Sequence, residues 1–570
     1  MGLTEVAIEE VDLVVVGSGA GGLVAALRAH ADGLRVVVLE KQSQVGGSTA
    51  MSGGQIWAPA NPVQQAAGVS DSPEEALQYL RALEDGNGGA GATQERQRAY
   101  VNSVSEVVTF LQDAGVRWRH CDNRSDYYDE LPGGKAGGRS LEVDLFDGGR
   151  LGTWLPRLQG SGYRYPMRGT ELRHILLAQA ALSGKVALVR LAFRMALQRV
   201  LGKTWLGAGA GMQSYILLAC LHRKIPILPD TEVTDLIMED GRVAGVRARR
   251  VGRTTRISAK RGVLLCAGGF SRNNAMRKRH QPDGGSADFT IANPGDTGEV
   301  IEQAVALGAA VDVMDEAWWV PMSKDPSGKP LIHVADLAKP GVILVDQEGH
   351  RFVNESGSYM EIGRRMVERN KSVAAIPSWA ILDHRARAHY AWGGLLSFQT
   401  PKSWKQGGYF KTAKTIEALA AQCKVPAATL RQTVDRFNGF AATGSDADFR
   451  RGDRHYDRYY ADSTHSPNPC LAPIDKAPFY ATPIQLGDVG TAGGLVADEL
   501  GRVKRADGSI IPGLFAAGNC TAPVFGRHYP GAGASIGASA VFGYIVARHL
   551  SGANAPIGER FEPIAVNDAS

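Results

Sequence analysis

The sequence predicts an α/β protein: a Rossmann-like dinucleotide-binding domain, discontinuous along the chain, with an inserted α+β domain. Three observations carry this. Residues 11–40 read as strand, glycine turn, helix and strand, with Gly17, Gly19 and Gly22 in G-x-G-x-x-G spacing and an acid, Glu40, about 20 residues further on. Residues 513–519 form another short apolar stretch ending in glycine, and residues 529–537 form a further glycine-rich turn before a helix. Between these two ends, from about residue 315 to 488, prolines and tryptophans break the regular spacing. The expected division is 1–315 for the first part of the dinucleotide domain, 316–488 for the insert and 489–570 for the C-terminal part, with an extra helical segment at 160–203.

Taken in order, residues 13–16 are too few for a helix and rich in β-branched side chains, as in a strand buried on both faces. Gly17 makes the tight turn, Gly19 lets the backbone approach a pyrophosphate, and Gly22 lets helix and strand pack closely. The helix over 23–31 offers its free N–H groups and positive dipole end to phosphates. Residues 35–39 form the second strand, and Glu40 is placed to accept ribose hydroxyls; Ala20 and Lys41 complete this candidate set. Residues 46–54, GGSTAMSGG, suit a loop pressed against a flat ligand through Gly47, Ser48, Thr49, Ser52, Gly53 and Gly54.

Helices are expected over 72–85, capped by Ser72 with Pro73 in the first turn, and over 94–114. Residues 204–221 carry no charge but contain Gly207, Gly209, Gly211 and Gln213, so they read as a turn and a buried helix rather than a membrane span. Residues 231–250 read as a hairpin around Asp-Gly, 262–270 as a buried strand, 297–309 as a helix and 538–550 as the closing helix. Residues 170–201 are mostly helical in pattern, with Arg190, Arg194 and Gln198 at i, i+4, i+8 among apolar residues. A helix packed on the domain with a solvated basic face is the preferred reading. Weak peripheral membrane association through 170–203 is the other, with the apolar face in the interface and arginines at anionic headgroups.

Composition bounds the function. The chain is 44% hydrophobic and 21% charged, as in an ordinary soluble protein, and a net charge of +5 without a basic block gives no footprint for nucleic acid. The six cysteines show no C-x-x-C, so free buried thiols in a reducing compartment are expected, and the sequence offers no ligand cluster for a metal. The N-terminus carries Glu5, Glu9 and Glu10 and runs straight into the first strand, without a signal-peptide pattern. A cytoplasmic location, with or without membrane association, is the expectation.

With these pieces in view, the chain resembles the fumarate reductase/succinate dehydrogenase flavoprotein superfamily, through the N-terminal βαβ unit, the 46–54 loop and the strand 513–519. The resemblance implies FAD as the nucleotide: Gly17–Gly22 at the pyrophosphate, Glu40 at the adenosine ribose, residues 48–54 along the isoalloxazine, and Gly518 and Asn519 on the flavin side. It also implies that the late helix points its N-terminus, near Ser535 and Ile536, at the flavin pyrimidine. Members with covalent flavin carry a histidine in the loop after the second strand; Ser48-Thr49 stands here, so non-covalent FAD is expected. Within the superfamily the chain is most similar to the 3-ketosteroid Δ1-dehydrogenases. Four segments carry this: Asp126-Tyr127-Tyr128 with GGRS at 137–140; DEAW at 315–318; Asn354-Glu355-Ser356 with Tyr359; and Tyr529-Pro530-Gly531-x-Gly533. The family's catalytic set then falls on Tyr127, Tyr359, Tyr529 and Gly533. Ala532 stands where the family loop often has proline.

The chemistry fits these residue types. Desaturation beside a ketone removes an α-proton and a β-hydride, and the proton becomes acidic only as the carbonyl oxygen is stabilised. A phenol and a backbone N–H, Tyr529 and Gly533, suit that oxyanion. Tyr359 is the candidate base; since a free tyrosine has a pKa of about 10, it needs help, and Tyr127 is placed to relay its proton. The implied substrate is a 3-ketosteroid or sterol-derived ketone, with a quinone-like acceptor for the electrons. The alternatives are a Δ4-(5α) ketosteroid or other cyclic-ketone desaturase, a fumarate-type reductase, and a non-catalytic flavin- or steroid-binding protein. Tyr128, Tyr459 and Tyr460 are read as structural, Trp318 and Trp319 as core or pocket wall. Arg139 is read as either a flavin or loop anchor or a surface salt bridge.

Overall fold

The computed structural model describes residues 8–84, 86, 88–160, 166–282 and 285–552. Glu5, Asp85, the 161–165 part of the extra segment and both chain ends, 1–7 and 553–570, therefore lie outside the described residues.

The strand Glu10–Val16 lies at the middle of an eight-stranded sheet. It runs parallel to Val36–Leu39 on one side and to Arg253–Leu265 on the other; Ile510–Ala516 continues the sheet in parallel. The alternation of its side chains explains its central place. Leu13 and Val15 enter one hydrophobic core, while Val14 and Val16 enter another on the opposite face. The hairpin Thr231–Glu239/Arg242–Arg250 turns at Asp240 and Gly241, both with positive φ, and extends the sheet in antiparallel fashion. The first helix, Ala20–Ala31, packs on the late helix Ala534–Ser551. A Cβ at Gly543 would lie 2.2 Å from the Gly21 carbonyl oxygen, so the two ends of the sequence meet backbone to backbone.

A second, antiparallel sheet of six strands is built from residues 317–491, with Phe479–Thr491 pairing Ala317–Lys324, Ser378–Leu382 and Lys411–Ala413. All six cysteines are free and buried.

Several expected elements differ in extent. The first helix begins at Ala20 and the late one at Ala534, because their glycine turns feed directly into the helix. The 46–54 segment is not a plain loop: Gly47–Met51 forms a short helix after Gly46, which adopts a left-handed conformation. The 297–309 helix contracts to Glu299–Ala306. The pattern over 170–201 resolves into a 3-10 turn at Gly169–Glu171, a short helix Leu172–Ile175 and the long helix Leu182–Val200. That long helix buries only Gly184 outright, but Leu191, Arg194 and Met195 are half-buried and Arg194 pairs with Glu171 at 2.7 Å, while Arg190 stays exposed. The uncharged stretch near 204–221 does form a buried helix, Ala208–His222.

Candidate active site

A cavity of about 1180 Å³ runs between the two sheets. Its one end is lined by Gly17, Gly19, Ala20, Glu40 and Lys41, then by Gly47, Ser48, Thr49, Ser52, Gly53 and Gly54. Gly518, Asn519, Ser535 and Ile536 line it from the C-terminal part, and Tyr127, Tyr359, Tyr529 and Gly533 line it as well. Gly22 does not face the cavity. A Cβ there would lie 2.0 Å from the Gly17 carbonyl oxygen, so its role is the close approach of helix and turn.

Two helices open onto this cavity at their N-termini. Neither Gly19, before the first helix, nor Gly533, before the late one, provides a side-chain cap. The positive ends of both dipoles therefore face the cavity, as an anionic or electron-rich ligand requires. Around them the donor set is ordered. Glu40 accepts from the Ser18 backbone N–H at 3.1 Å, the Ser18 hydroxyl at 2.6 Å and the Gln42 N–H at 2.9 Å. Thr49 accepts from Ala20 N at 3.2 Å, and Lys41 pairs with Glu299 at 2.9 Å. Ser48 donates to Asp296 at 3.1 Å, and burial pushes that carboxyl up to about 7. This cradle of backbone donors, uncapped helix ends and small side chains fits a dinucleotide.

The tyrosines meet at the other part of the cavity. The Tyr127, Tyr359 and Tyr529 rings form a nearly equilateral triangle with centroid separations of 5.5, 5.7 and 5.6 Å. Three distant segments deliver them, each anchored by buried charge or backbone. Beside Tyr127, Asp126 accepts from Arg139 at 2.5 Å and from the Trp57 indole at 2.8 Å; Arg139 also pairs with Asp71 at 2.7 Å. Arg139 is thus a fully buried loop anchor, not a surface salt bridge. Tyr359 opens the helix Tyr359–Asn370, and the preceding turn is fixed by Glu355, buried between Arg351 at 2.8 Å and Arg451 at 3.0 Å. The 529–533 loop is tied in by the Pro530 carbonyl, which accepts from Tyr127 N at 3.0 Å and the Tyr79 hydroxyl at 2.7 Å.

The Tyr529 hydroxyl lies 3.1 Å from the Ser535 hydroxyl, beside the first turn of the late helix. Gly533 has φ +85°, and a Cβ there would lie 2.0 Å from the Gln55 carbonyl oxygen, so only glycine fits. Burial, reinforced by the neighbouring Tyr127 and Tyr529 phenols, raises the Tyr359 phenol well above the ordinary tyrosine range. Burial also raises Tyr127, with the Arg124 guanidinium opposing it. Trp318 packs edge-on against Tyr529 at 5.1 Å and donates to Asn519 at 3.1 Å; Trp319 is core.

Sequence reasoning did not single out three groups. Tyr456 lies 4.3 Å from the Tyr127 ring, Arg124 lines the cavity, and Asp296 faces the cradle. The only sequence signal for Tyr456 and Arg124 is their place in the tyrosine-rich runs 456–460 and 124–128. Tyr460, read as structural, lines the cavity too. Among the described residues no group of three His, Cys, Asp or Glu side chains could hold a metal ion, and no helix is long and apolar enough to cross a membrane.

The model of the FAD-binding-domain family matches residues 12–536. The chain is 38% identical over 559 residues to the 3-oxosteroid 1-dehydrogenase of Mycolicibacterium smegmatis, covering 95% of this chain and 97% of that protein. It is 32% identical over 568 residues to the 4-oxocyclohex-2-ene-1-carboxylate 5-dehydrogenase of Sinomonas cyclohexanicum, covering 95% of this chain and 93% of that one. Its fold superposes with a TM-score of 0.90, at 37% identity, on the crystal structure of the 3-ketosteroid Δ1-dehydrogenase of Sterolibacterium denitrificans in complex with 1,4-androstadiene-3,17-dione, over 95% of this chain and all of that one. The chain therefore belongs to the FAD-binding-domain family of flavoproteins and, within it, to the family of the 3-oxosteroid 1-dehydrogenases.

Proposed function

We propose that the protein is an FAD-dependent 3-ketosteroid Δ1-dehydrogenase, converting 3-ketosteroids to 1,4-diene-3-ketosteroids. The observation that carries this is the triangle of Tyr127, Tyr359 and Tyr529 over the cavity, with Gly533 beside it. Tyr529 donates its phenolic hydrogen to the C3 carbonyl oxygen, and the Gly533 backbone N–H adds a second donor; together they stabilise the enolate-like charge. Tyr359, as the phenolate, takes the C2 proton, and Tyr127, in edge-on contact with it, passes that proton on towards solvent, which restores the phenolate. Bound FAD supplies the acceptor for the hydride leaving C1. Residues 46–54 hold no histidine, so FAD is bound without a covalent link, and acid precipitation should leave all yellow colour in the supernatant. A quinone-like acceptor takes the electrons in turn. The division at 316 is supported by the second sheet, whose first strand begins at Ala317, while the boundary at 489 falls inside its strand Phe479–Thr491.

The test is product analysis: the holoprotein is mixed with 4-androstene-3,17-dione and a dye acceptor. A 1,4-diene is expected; no turnover of this or any other 3-keto-4-ene steroid would overturn the reading. The Sinomonas relative keeps open a second reading, desaturation of a smaller cyclic ketone, which turnover of cyclohexenones but not steroids would favour.

Weak membrane association is part of the proposal. The helix Leu182–Val200 exposes Leu182 (76%), Val189 (68%), Phe193 (66%) and Val200 (82%) along one side. Lys185, Arg190 and Arg199 are exposed on the same helix, and no acid occurs between Glu171 and Asp230. Leu188, Leu191 and Met195 of this helix line the cavity, so an apolar substrate in the interface would be close to it. Co-sedimentation with anionic liposomes at low salt is expected; retention of all protein in the supernatant would remove the idea.

A further inference from the structure

A buried cation normally has a carboxylate. Arg139 has two, Asp71 and Asp126. Arg124, three residues before Tyr127, is also buried but makes no ion pair with a carboxylate among the described residues. Its guanidinium lies 4.2 Å from the centre of the Tyr459 ring and 5.1 Å from that of Tyr460, and it donates to the Tyr460 hydroxyl at 2.9 Å. Its Nε has no hydrogen-bond partner. Aromatic faces and one hydroxyl compensate only part of the cost of desolvating a full charge.

We infer that Arg124 is a positioning residue for the desaturation, which holds the 456–460 tyrosines against Tyr127 and supplies the positive charge that favours a single phenolate shared by Tyr127 and its neighbour Tyr359. The inference rests on the reading of Tyr359 as the base.

The surroundings leave the phenols as the counter-charge. On its own loop Arg124 is close to Cys121, whose thiol burial raises well above the ordinary range, so it stays neutral. From the 456–460 segment Tyr456, Tyr459 and Tyr460 face it, and Arg173 stacks over Tyr459 at 4.8 Å, adding a second cation. Behind Tyr127 stand Tyr359 and Tyr529. Arg124 itself stays protonated, as an arginine does, and the groups around it are Tyr460, Tyr459, Tyr127 and Tyr456. A phenolate formed at Tyr127 therefore meets a cation already in place. Without that cation, burial, with the neighbouring Tyr529 and Tyr460, drives the ionisation of Tyr127 to higher pH.

The test follows substrate-driven flavin bleaching across pH for the wild-type holoprotein, Arg124→Gln, Arg124→Lys and Tyr359→Phe. Bleaching depends on the phenolate, so its rate rises with pH along one limb. Arg124→Gln is expected to keep FAD, move that limb up by about one pH unit and run about tenfold slower on it, recovering at high pH. Arg124→Lys, which keeps the charge, is expected to hold the limb within about half a unit. A limb unmoved in Arg124→Gln, or a loss that Arg124→Lys shares in full, overturns the inference. Should Arg124→Gln not retain FAD, the Lys variant decides alone: displacement beyond about half a unit overturns it. Near-normal bleaching in Tyr359→Phe sinks the base reading itself, whereas an inactive Tyr359→Phe with an unmoved Arg124→Gln limb removes Arg124 only.

Discussion

The two ends of the cavity are built on opposite principles. The cofactor cradle is made mostly of backbone: glycine turns, uncapped helix ends and short hydroxyl side chains, most of it within residues 17–54. The tyrosine end is made of side chains from three segments more than 150 residues apart, each held by its own buried anchor. A site built from backbone fails by loss of space, and a site built from side chains fails by loss of a functional group. The first kind of damage should abolish cofactor and fold together, and the second should leave both intact.

The largest effect is expected from Gly22→Val. Its Cβ would lie 2.0 Å from the Gly17 carbonyl oxygen and 3.2 Å from Val15, so the first helix cannot close on its strand. The protein should be recovered without FAD or not at all; a yellow, active Gly22→Val would break the contrast. Tyr529→Phe removes one oxyanion donor and should lower kcat by about 10²–10³-fold with FAD content unchanged. Tyr127→Phe keeps the ring packing and loses only the relay, so a smaller loss of about tenfold is expected, recovered in part at high pH. Equal losses in the two tyrosine variants would mean that the tyrosines act as packing.

The smallest effect probes the cradle by charge alone. Burial raises Asp296 to about 7, above the ordinary carboxyl value. The folded apoprotein therefore holds a proton there that the unfolded chain has released. Stability from this group is fully present below about pH 4, is lost as pH rises from there towards 7, and stays lost above it. Asp296→Asn, which keeps the acceptor for Ser48, should raise the apoprotein Tm by a few degrees at pH 8, about 2 kcal/mol, and leave it nearly unchanged at pH 4. The reverse order would contradict the burial argument.

The same contrast explains what could be read from the chain. The βαβ unit was legible because its signals are local: a continuous apolar run at 13–16, glycines at fixed spacing and Glu40 after the second strand. The tyrosines are not legible by spacing. Tyr127, Tyr359 and Tyr529 were reached only through the family resemblance of their segments, and the structure brings all three onto one cavity with Gly533. Tyr456 and Arg124 escaped because their partners are distant in sequence and no local pattern marks a cation stacked on phenols. The helix Leu182–Val200 was legible as a helix, but its face was not: the arginines suggested a solvated basic side, while the exposed residues include Leu182, Val189 and Phe193. Period alone says where an apolar stripe lies, not whether the body covers it.

The central claim is that a buried phenol, Tyr359, removes the C2 proton of a 3-ketosteroid. Rapid mixing of wild-type and Tyr359→Phe holoproteins with 4-androstene-3,17-dione tests it directly. Wild type should bleach its flavin and form the 1,4-diene, while Tyr359→Phe, with full FAD, should bleach about 10²–10⁴-fold more slowly. Bleaching at a near-normal rate in Tyr359→Phe would contradict the account.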